Sequence, residues 1–351
     1  MPFASRAPRV VAGLALCALG GAVCAAIGMP IPWMLGSMLT MAVVQMAGVD
    51  IDTLPGGRSA GMVVVGITLG LYFTAPVLHE VSTFWPWFLA LGFAAHAFGT
   101  LSAWILSRLS GVDMATAYFG SMPGGASEMS QMAETHGAQP DKVAFAHSVR
   151  MLLVVTLFPV GITLAGFHAS EAYRPVTIPF DPAGLALLLA FGAAAGFAAT
   201  RVRLPTAYML GPLLLTIVLT SNGMTFSSMP SWLVNVAQVL LGAVMGSRFE
   251  QGFLRAAPRF AAALVPSVAA TLVMAVLVGW ALALGSGTYL GNGLLAAAPG
   301  GIAEMSITAR VLRLGVAFIT AAHVVRYIVV VLLTVPVYHL LIREKPPGEQ
   351  P

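Results

Sequence analysis

Residues Pro123–Ser130 read PGGASEMS, and residues Pro299–Ser306 read PGGIAEMS, 176 positions later (299 − 123). Proline removes a backbone donor and breaks a helix, and two adjacent glycines loosen the chain further. A motif of helix breakers followed by a glutamate therefore occurs twice in one chain. The repetition indicates an internal duplication, and it organises the rest of the sequence.

Other features recur at nearly the same distance. A His-x-x-Arg pair follows each motif, and a Gly-xxx-Gly pair precedes each one; the members are His147/Arg150, His323/Arg326, Gly66/Gly70 and Gly242/Gly246. Gly-xxx-Gly spacing is typical of helices that pack closely in lipid. We therefore divide the chain into a first repeat at 1–170, a second repeat at 176–342 and a tail at 343–351.

The composition places both repeats in a lipid bilayer. Apolar residues make up 58% of the chain and charged residues only 9%, whereas soluble domains carry about 25% charged residues. The apolar runs lack the two-residue alternation of a membrane β-barrel. Runs long enough to span a bilayer as helices predict ten crossings: Val10–Ile27, Ile31–Val49, Ala60–Leu78, Phe84–Ile105, Val143–Ala165, Pro182–Thr200, Leu204–Leu219, Trp232–Met245, Phe260–Leu284 and Leu314–Leu341. The first of these runs, Val10–Ile27, resembles a signal peptide. Its match to the start of the second repeat favours a helix that is retained in the protein.

The basic residues predict the topology. Lys and Arg collect in cytoplasmic loops. With five crossings per repeat and a cytoplasmic N-terminus, twelve basic residues fall inside: Arg6, Arg9, Arg58, Arg108, Lys142, Arg201, Arg203, Arg248, Arg255, Arg259, Arg343 and Lys345. Three fall outside: Arg174, Arg310 and Arg313. An odd number of crossings makes the repeats inverted with respect to each other. We expect a multi-pass protein of the bacterial inner membrane with both termini in the cytoplasm.

The segments around the two motifs, Asp113–Gly137 and Gly291–Arg313, are predicted to be re-entrant hairpins that enter from opposite sides and meet near the midplane. Inverted-repeat transporters build substrate sites in this way, with half-helix ends facing the cavity. The alternative is an interfacial loop followed by an ordinary amphipathic helix.

Ionisable residues inside apolar segments are costly and mark functional sites. We predict that the repeated polar residues and glycines bind the solute: Gly124, Gly125, Ser127, Glu128, His147, Arg150, Gly300, Gly301, Glu304, His323 and Arg326. In this interpretation the arginines bind an anion, and histidine, which titrates near neutrality, or glutamate carries protons. The alternatives are Glu–Arg bridges that tie each hairpin to the next helix, and histidines that only join helices by hydrogen bonds.

The doubled Pro-Gly-Gly-x-x-Glu-Met motif with its His-x-x-Arg helix resembles the bacterial AbrB membrane-protein family over about the full length of the chain. The resemblance implies an integral membrane protein linked by name to regulation of gene expression and to an ammonia monooxygenase label. The soluble DNA-binding regulator that shares the name is a different, small, β-rich protein, and the scattered basic residues here form no surface for nucleic acid.

Three functions follow as hypotheses. The first is a secondary transporter or permease for a small anionic or zwitterionic solute, coupled to protons. The second is a membrane-embedded regulator of gene expression that acts through a partner protein. The third is a metal-dependent monooxygenase, for which the repeated His and Glu residues supply few ligands. Beyond lipid and a solute we expect no cofactor, no resident metal, no catalytic residues and no nucleic acid, and a homo-oligomer is left open.

Overall fold

The computed structural model describes residues 3–168, 176–249 and 257–342, with side chains from residue 7 onward. Of the basic residues used for the topology, Arg174, Arg255, Arg343 and Lys345 lie outside these ranges, as does the tail. The described residues form fifteen α-helices and no strand: α1 (Phe3–Ala26), α2 (Pro32–Met46), α3 (Gly57–Gly70), α4 (Ala75–Ser82), α5 (Trp85–Ser110), α6 (Met114–Ser121), α7 (Ala126–Thr135), α8 (Pro140–Leu164), α9 (Pro182–Arg201), α10 (Ala207–Ser221), α11 (Ser231–Gly246), α12 (Pro258–Ser286), α13 (Leu290–Ala297), α14 (Ile302–Val311) and α15 (Val316–Leu341).

Six helices are long and apolar enough to cross a membrane: α1, α5, α8, α9, α12 and α15. The number rises to seven if α3 and α4 together count as one span. Helices α10 and α11 are apolar but have only 15 and 16 residues, short of the roughly 17–25 that a span usually needs. The all-helical, membrane-type fold is confirmed, and the count of ten crossings stays a prediction.

The third predicted span, Ala60–Leu78, is wrong as a single straight helix. The chain leaves α3 after Gly70 and enters α4 at Ala75, and the two helix axes differ by 90°. Thr74 is extended and Pro76 lies in the first turn of α4. Proline is favoured at a helix start and disfavours helical geometry in the residue before it. The apolar run continues through this break, which is why hydropathy alone missed it.

The two halves of the chain interlock through their short helices. Helix α2 of the first half packs against α11 of the second, and α3 packs against α10. A methyl group added to Gly242 would overlap the Met34 carbonyl on α2, and one added to Gly66 would meet the Met209 carbonyl on α10. The Gly-xxx-Gly pairs thus let backbones approach closely, as their spacing predicts, and each pair serves a contact between halves.

A second contact between the halves is formed by the long helices. Helix α5 packs against both α12 and α15, and α8 also contacts α12. At the centre of the α5–α12 contact, the hydroxyl groups of Ser102 and Ser267 lie 2.6 Å apart. The Ser267 hydroxyl also donates to the Ser102 carbonyl at 3.0 Å, so the pair closes across the interface. This frame holds the helices that carry the two motifs.

Each predicted hairpin is a pair of short helices interrupted at Pro-Gly-Gly. Helix α6 ends before the first break and α7 begins after it, while α13 and α14 flank the second. Every residue of α14 from Ile302 to Ala309 is buried, so protein surrounds this stretch, which has no exposed face of the kind that an amphipathic surface helix keeps, and the re-entrant hairpins stay a prediction. In α7 only Met129 and Ala133 are buried, so the two segments differ in their surroundings.

Candidate functional site

The first buried arginine holds the end of a broken helix. Arg150 on α8 donates through Nη1 to the carbonyls of Ser121 and Met122, at 3.1 and 2.8 Å. These carbonyls lie at the C-terminus of α6, where the last turn has no partners within the helix. A cation near a helix C-terminus also complements the helix dipole. Arg150 therefore compensates the backbone groups that the Pro-Gly-Gly break exposes.

The second repeat has a similar arrangement, which differs in one of the two carbonyls. Arg326 on α15 donates through Nη1 to the Ala298 carbonyl and through Nη2 to the Gly300 carbonyl, the latter at 2.6 Å. Ala298 is the counterpart of Met122, 176 residues later. The alternative of Glu–Arg bridges does not hold among the described residues, because neither arginine forms an ion pair with a glutamate there and the one ion pair found joins Arg9 to Asp50. The arginines bind backbone oxygens instead.

The two histidines differ only in their second ring nitrogen. His147 and His323 each contact a carbonyl of the preceding short helix, Phe119 and Leu295, through Nε2 at 2.9 Å. The Nδ1 atom of His147 also lies 2.8 Å from Nη2 of Arg150, whereas Nδ1 of His323 is buried and has no partner among the described residues. The Nε2 contacts agree with the alternative in which the histidines only join helices by hydrogen bonds. In the second repeat, that alternative leaves the Nδ1 atom of His323 without a role.

The motif glycines make room for the side chains that follow them. A methyl group on Gly125 would overlap a carboxylate oxygen of Glu128, and one on Gly301 would overlap the same atom of Glu304. Each glutamate is the third residue of its helix, and its carboxylate folds back toward the glycine that precedes the helix. The first glycine of each pair lies against a methionine side chain, five residues further on. The spacing of the whole Gly-Gly-x-x-Glu-Met motif follows from these contacts.

One cavity of about 120 Å³ lies between the two breaks. Nine of the eleven predicted site residues line it: Gly124, Gly125, Ser127, His147, Arg150, Gly300, Gly301, Glu304 and Arg326. Glu128 and His323 do not line it. The duplication therefore brings most of the repeated residues together, although they are about 150 residues or more apart between repeats.

Two further arginines line the cavity and were not predicted as site residues. Arg58 is exposed in the first turn of α3, and Arg248 is partly buried just after α11. Neither recurs in the other repeat, where Val234 and Tyr72 occupy the matching positions, so the repeat pattern gave no signal for them. Their guanidinium groups have no ion pair or hydrogen bond to any residue in the described ranges. Because Arg58 is exposed, the cavity reaches the surface on its side of the protein.

The charges around the cavity are unbalanced. Four arginines line it, namely Arg58, Arg150, Arg248 and Arg326, against the single carboxylate of Glu304. Arg248 interacts electrostatically with Arg58, Glu304 and Glu128. Across the described ranges, no three His, Cys, Asp or Glu side chains are placed to hold a metal ion. The arrangement suits an anion far better than a metal.

A family model described as AbrB, transition state regulatory protein, matches residues 33–342. The chain belongs to the AbrB family. Two relatives align along most of their length. A protein of Bacillus subtilis (strain 168) named "Uncharacterized protein YhjN" is 29% identical over 358 aligned positions, which cover 93% of this chain and 92% of the relative. A protein of Escherichia coli (strain K12) named "Putative regulator AbrB" is 27% identical over 313 positions, covering 89% and 90%.

Membership of the AbrB family confirms the resemblance carried by the doubled motif. The matched range contains both Pro-Gly-Gly breaks and both His-x-x-Arg helices, so the cavity lies wholly within the AbrB region. The names of these relatives specify no substrate and no reaction.

Proposed function

We propose that this AbrB protein is a secondary transporter for a small anionic or zwitterionic solute, driven by protons. The observation that supports the proposal is the cavity between two broken helices, lined by four arginines and one glutamate. Breaks at corresponding places in two halves of a chain are the sequence feature that best indicates a transporter substrate site. Broken helices at membrane depth are tolerated where they line such a cavity.

The proposal includes the predicted topology. Two inverted repeats of five crossings each lie in the bacterial inner membrane, with both termini in the cytoplasm. The packing supports it, because α6 contacts α5 and α8, while α13 makes the equivalent contacts with α12 and α15. Arg58 and Arg248 then lie on the cytoplasmic side, and the cavity faces the cytoplasm. Movement of one repeat against the other would open it to the opposite side.

The arginines that line the cavity indicate the charge of the solute. Arg58 and Arg248 repel each other, and an anion between them would relieve this repulsion, because guanidinium binds carboxylate and phosphate through paired hydrogen bonds. The terminal nitrogens of Arg150 and Arg326 are bonded to backbone oxygens, whereas Arg58 and Arg248 have no partner among the described residues. The solute enters past them and comes to rest beside Gly300 and Gly301.

The test is uptake by purified protein in proteoliposomes under an imposed proton gradient. A thermal-shift screen of metabolites first identifies a stabilising solute. The double variant Arg58→Gln/Arg248→Gln should take up that solute at least about tenfold more slowly, because each lost charged hydrogen bond is worth roughly 1.5–3 kcal/mol. The matched control is Arg108→Gln/Arg201→Gln, which removes two exposed arginines outside the cavity. Equal uptake by both double variants, or uptake by neither the variants nor the parent protein, contradicts the proposal.

The second candidate function is regulation of gene expression, which the name of the Escherichia coli relative favours. A membrane-embedded AbrB protein of this kind would act through a partner that reaches the transcription machinery. Affinity purification from membranes in the presence and absence of the stabilising solute tests it. A partner that binds stoichiometrically and leaves on solute addition supports a sensor, whereas uptake without any such partner supports the transporter.

A metal-dependent monooxygenase would require bound copper or iron in the purified protein, and metal analysis tests it.

A further inference from the structure

Glu304 occupies the N-terminus of its own half-helix. The carboxylate folds back toward Gly301 and accepts a hydrogen bond from its own backbone N–H. The side chain is only 6% exposed and lines the cavity. An anionic group at a helix N-terminus is favourable because the first N–H groups point outward and the helix dipole is positive there. A carboxylate attached to the protein is therefore already seated where a solute anion would bind.

The same cavity provides a second observation. The Nε atom of Arg326 is buried and has no partner among the described residues, although the side chain is only 4% exposed and lines the same cavity. A buried donor that is left without an acceptor is costly. The charges of Arg58 and Arg248 also act on Glu304. The site thus offers more donors than one glutamate uses.

We propose that Glu304 is a tethered stand-in for the solute, and that the solute is a small carboxylate that takes its place on the N-terminus of α14. This inference rests on the transporter proposed above and specifies its substrate class. The group that occupies the N-terminus of α14 is the Glu304 carboxylate, and a free carboxylate has the same shape and charge at its binding end. The two cannot occupy one position together.

Competition for the site couples the solute to a proton. When the Glu304 carboxylate takes up one proton, its charge is lost and it no longer holds the N-terminus of α14. The solute carboxylate then binds there and restores the negative charge among the arginines. Release of the solute lets the glutamate return as it gives its proton to water. One proton and one carboxylate thus move together, without change in the net charge of the site.

The groups that face this exchange are few. The cavity is lined by Arg58 on α3, by His147 and Arg150 on α8, by Arg248 after α11, and by Arg326 and Tyr327 on α15. Of these side chains, only histidine has an unperturbed pKa near neutrality, and the carboxyl group of an unperturbed glutamate titrates at about 4.3. A test that relies on pH therefore needs the glutamate to be changed directly.

The experiment compares the parent protein with Glu304→Gln and with the matched control Glu80→Gln, which changes an exposed glutamate on α4. Binding is measured by thermal-shift titration in detergent with sodium acetate, sodium lactate and sodium succinate at mildly acidic and mildly alkaline pH. Glycine serves as the zwitterion and sodium chloride as the salt control. Glutamine has no negative charge, so it does not compete for the N-terminus of α14.

We expect the parent and Glu80→Gln to bind a carboxylate more tightly as the pH falls. At alkaline pH, Glu304→Gln should bind the carboxylate at least about tenfold more tightly than the parent protein does. The affinity of Glu304→Gln should no longer depend on pH. Unchanged affinity in Glu304→Gln would show that the glutamate only caps its helix, and the inference fails while the transporter stands. Loss of binding in Glu304→Gln would show direct contact with the solute, as for a zwitterion, with the same consequence. If no probe stabilises any of the proteins, the inference and the proposed function fail together.

Discussion

Replacing Arg326 with lysine should destabilise the protein although the positive charge is kept. Two terminal nitrogens of the guanidinium each serve a different carbonyl, those of Ala298 and Gly300. The lysine side chain is shorter and ends in one nitrogen, which cannot occupy the positions of both guanidinium nitrogens. At least one carbonyl at the second break is then left buried without a donor.

The size of the effect follows from that single loss. A hydrogen bond from a charged donor contributes about 1.5–3 kcal/mol, and a buried group left unpaired costs a similar amount. Burying a positive charge at membrane depth costs about 2.5–3.5 kcal/mol on insertion scales. Lysine and arginine both bear this cost, so it cancels when Arg326→Lys is compared with the parent protein. We therefore expect Arg326→Lys to lower the free energy of unfolding by about 1.5–3 kcal/mol. Alanine is a less clean change, because it removes both hydrogen bonds and the buried charge.

The measurement is SDS-induced unfolding in mixed micelles, followed by circular dichroism. The control is Arg201→Lys, since Arg201 is exposed and its guanidinium lies over the Phe197 ring at 4.7 Å rather than on a carbonyl; it should change stability by less than about 0.5 kcal/mol. If Arg326→Lys is as stable as the parent while Arg326→Ala is strongly destabilised, only the charge matters, and the two-carbonyl explanation is refuted.

Three further changes test other parts of the structure. Gly301→Ala places a methyl group against the Glu304 carboxylate and should displace the carboxylate, which lowers the free energy of unfolding by about 0.5–2 kcal/mol. The same change should alter the pH dependence of solute binding, and an unaltered pH dependence would contradict the back-folded position of the glutamate. Gly242→Leu drives a side chain into α2 and should prevent the short helices from packing, detected as loss of the monodisperse peak in size-exclusion chromatography, whereas a stable protein would contradict the close α2–α11 contact. The double change Ser102→Ala/Ser267→Ala should cost about 0.6–1.7 kcal/mol, the range for hydrogen bonds between membrane helices, and a double-mutant cycle in the same unfolding assay would show no coupling if the hydroxyls do not interact.

Much of the fold could be predicted because hydropathy and helix breakers act locally. The predicted span Phe84–Ile105 corresponds to α5 (Trp85–Ser110), and Phe260–Leu284 corresponds to α12 (Pro258–Ser286). Both Pro-Gly-Gly motifs interrupt helices where the sequence places them. The doubling also predicted that distant residues would meet, and nine of them line one cavity.

The remainder depends on three-dimensional contacts that no local pattern records. The bend between α3 and α4 is hidden because the apolar run continues through it. Arg58 and Arg248 read as ordinary basic residues at helix ends, and only the fold turns them toward the cavity. Sequence spacing placed Arg150 and Glu128 in one region, but it could not show that the arginine would donate to backbone carbonyls rather than form an ion pair with the glutamate.

The exchange of short helices between the halves has a consequence for how the protein is made. While the ribosome is still translating the second half, α2 and α3 have already emerged, and the surfaces that Gly242 and Met209 later cover are exposed to lipid or to an insertion factor. The first half therefore reaches its final arrangement only after α10 and α11 have been synthesised. Two separately expressed halves should recombine in the membrane only when both are present, and a chain truncated after α9 should be degraded.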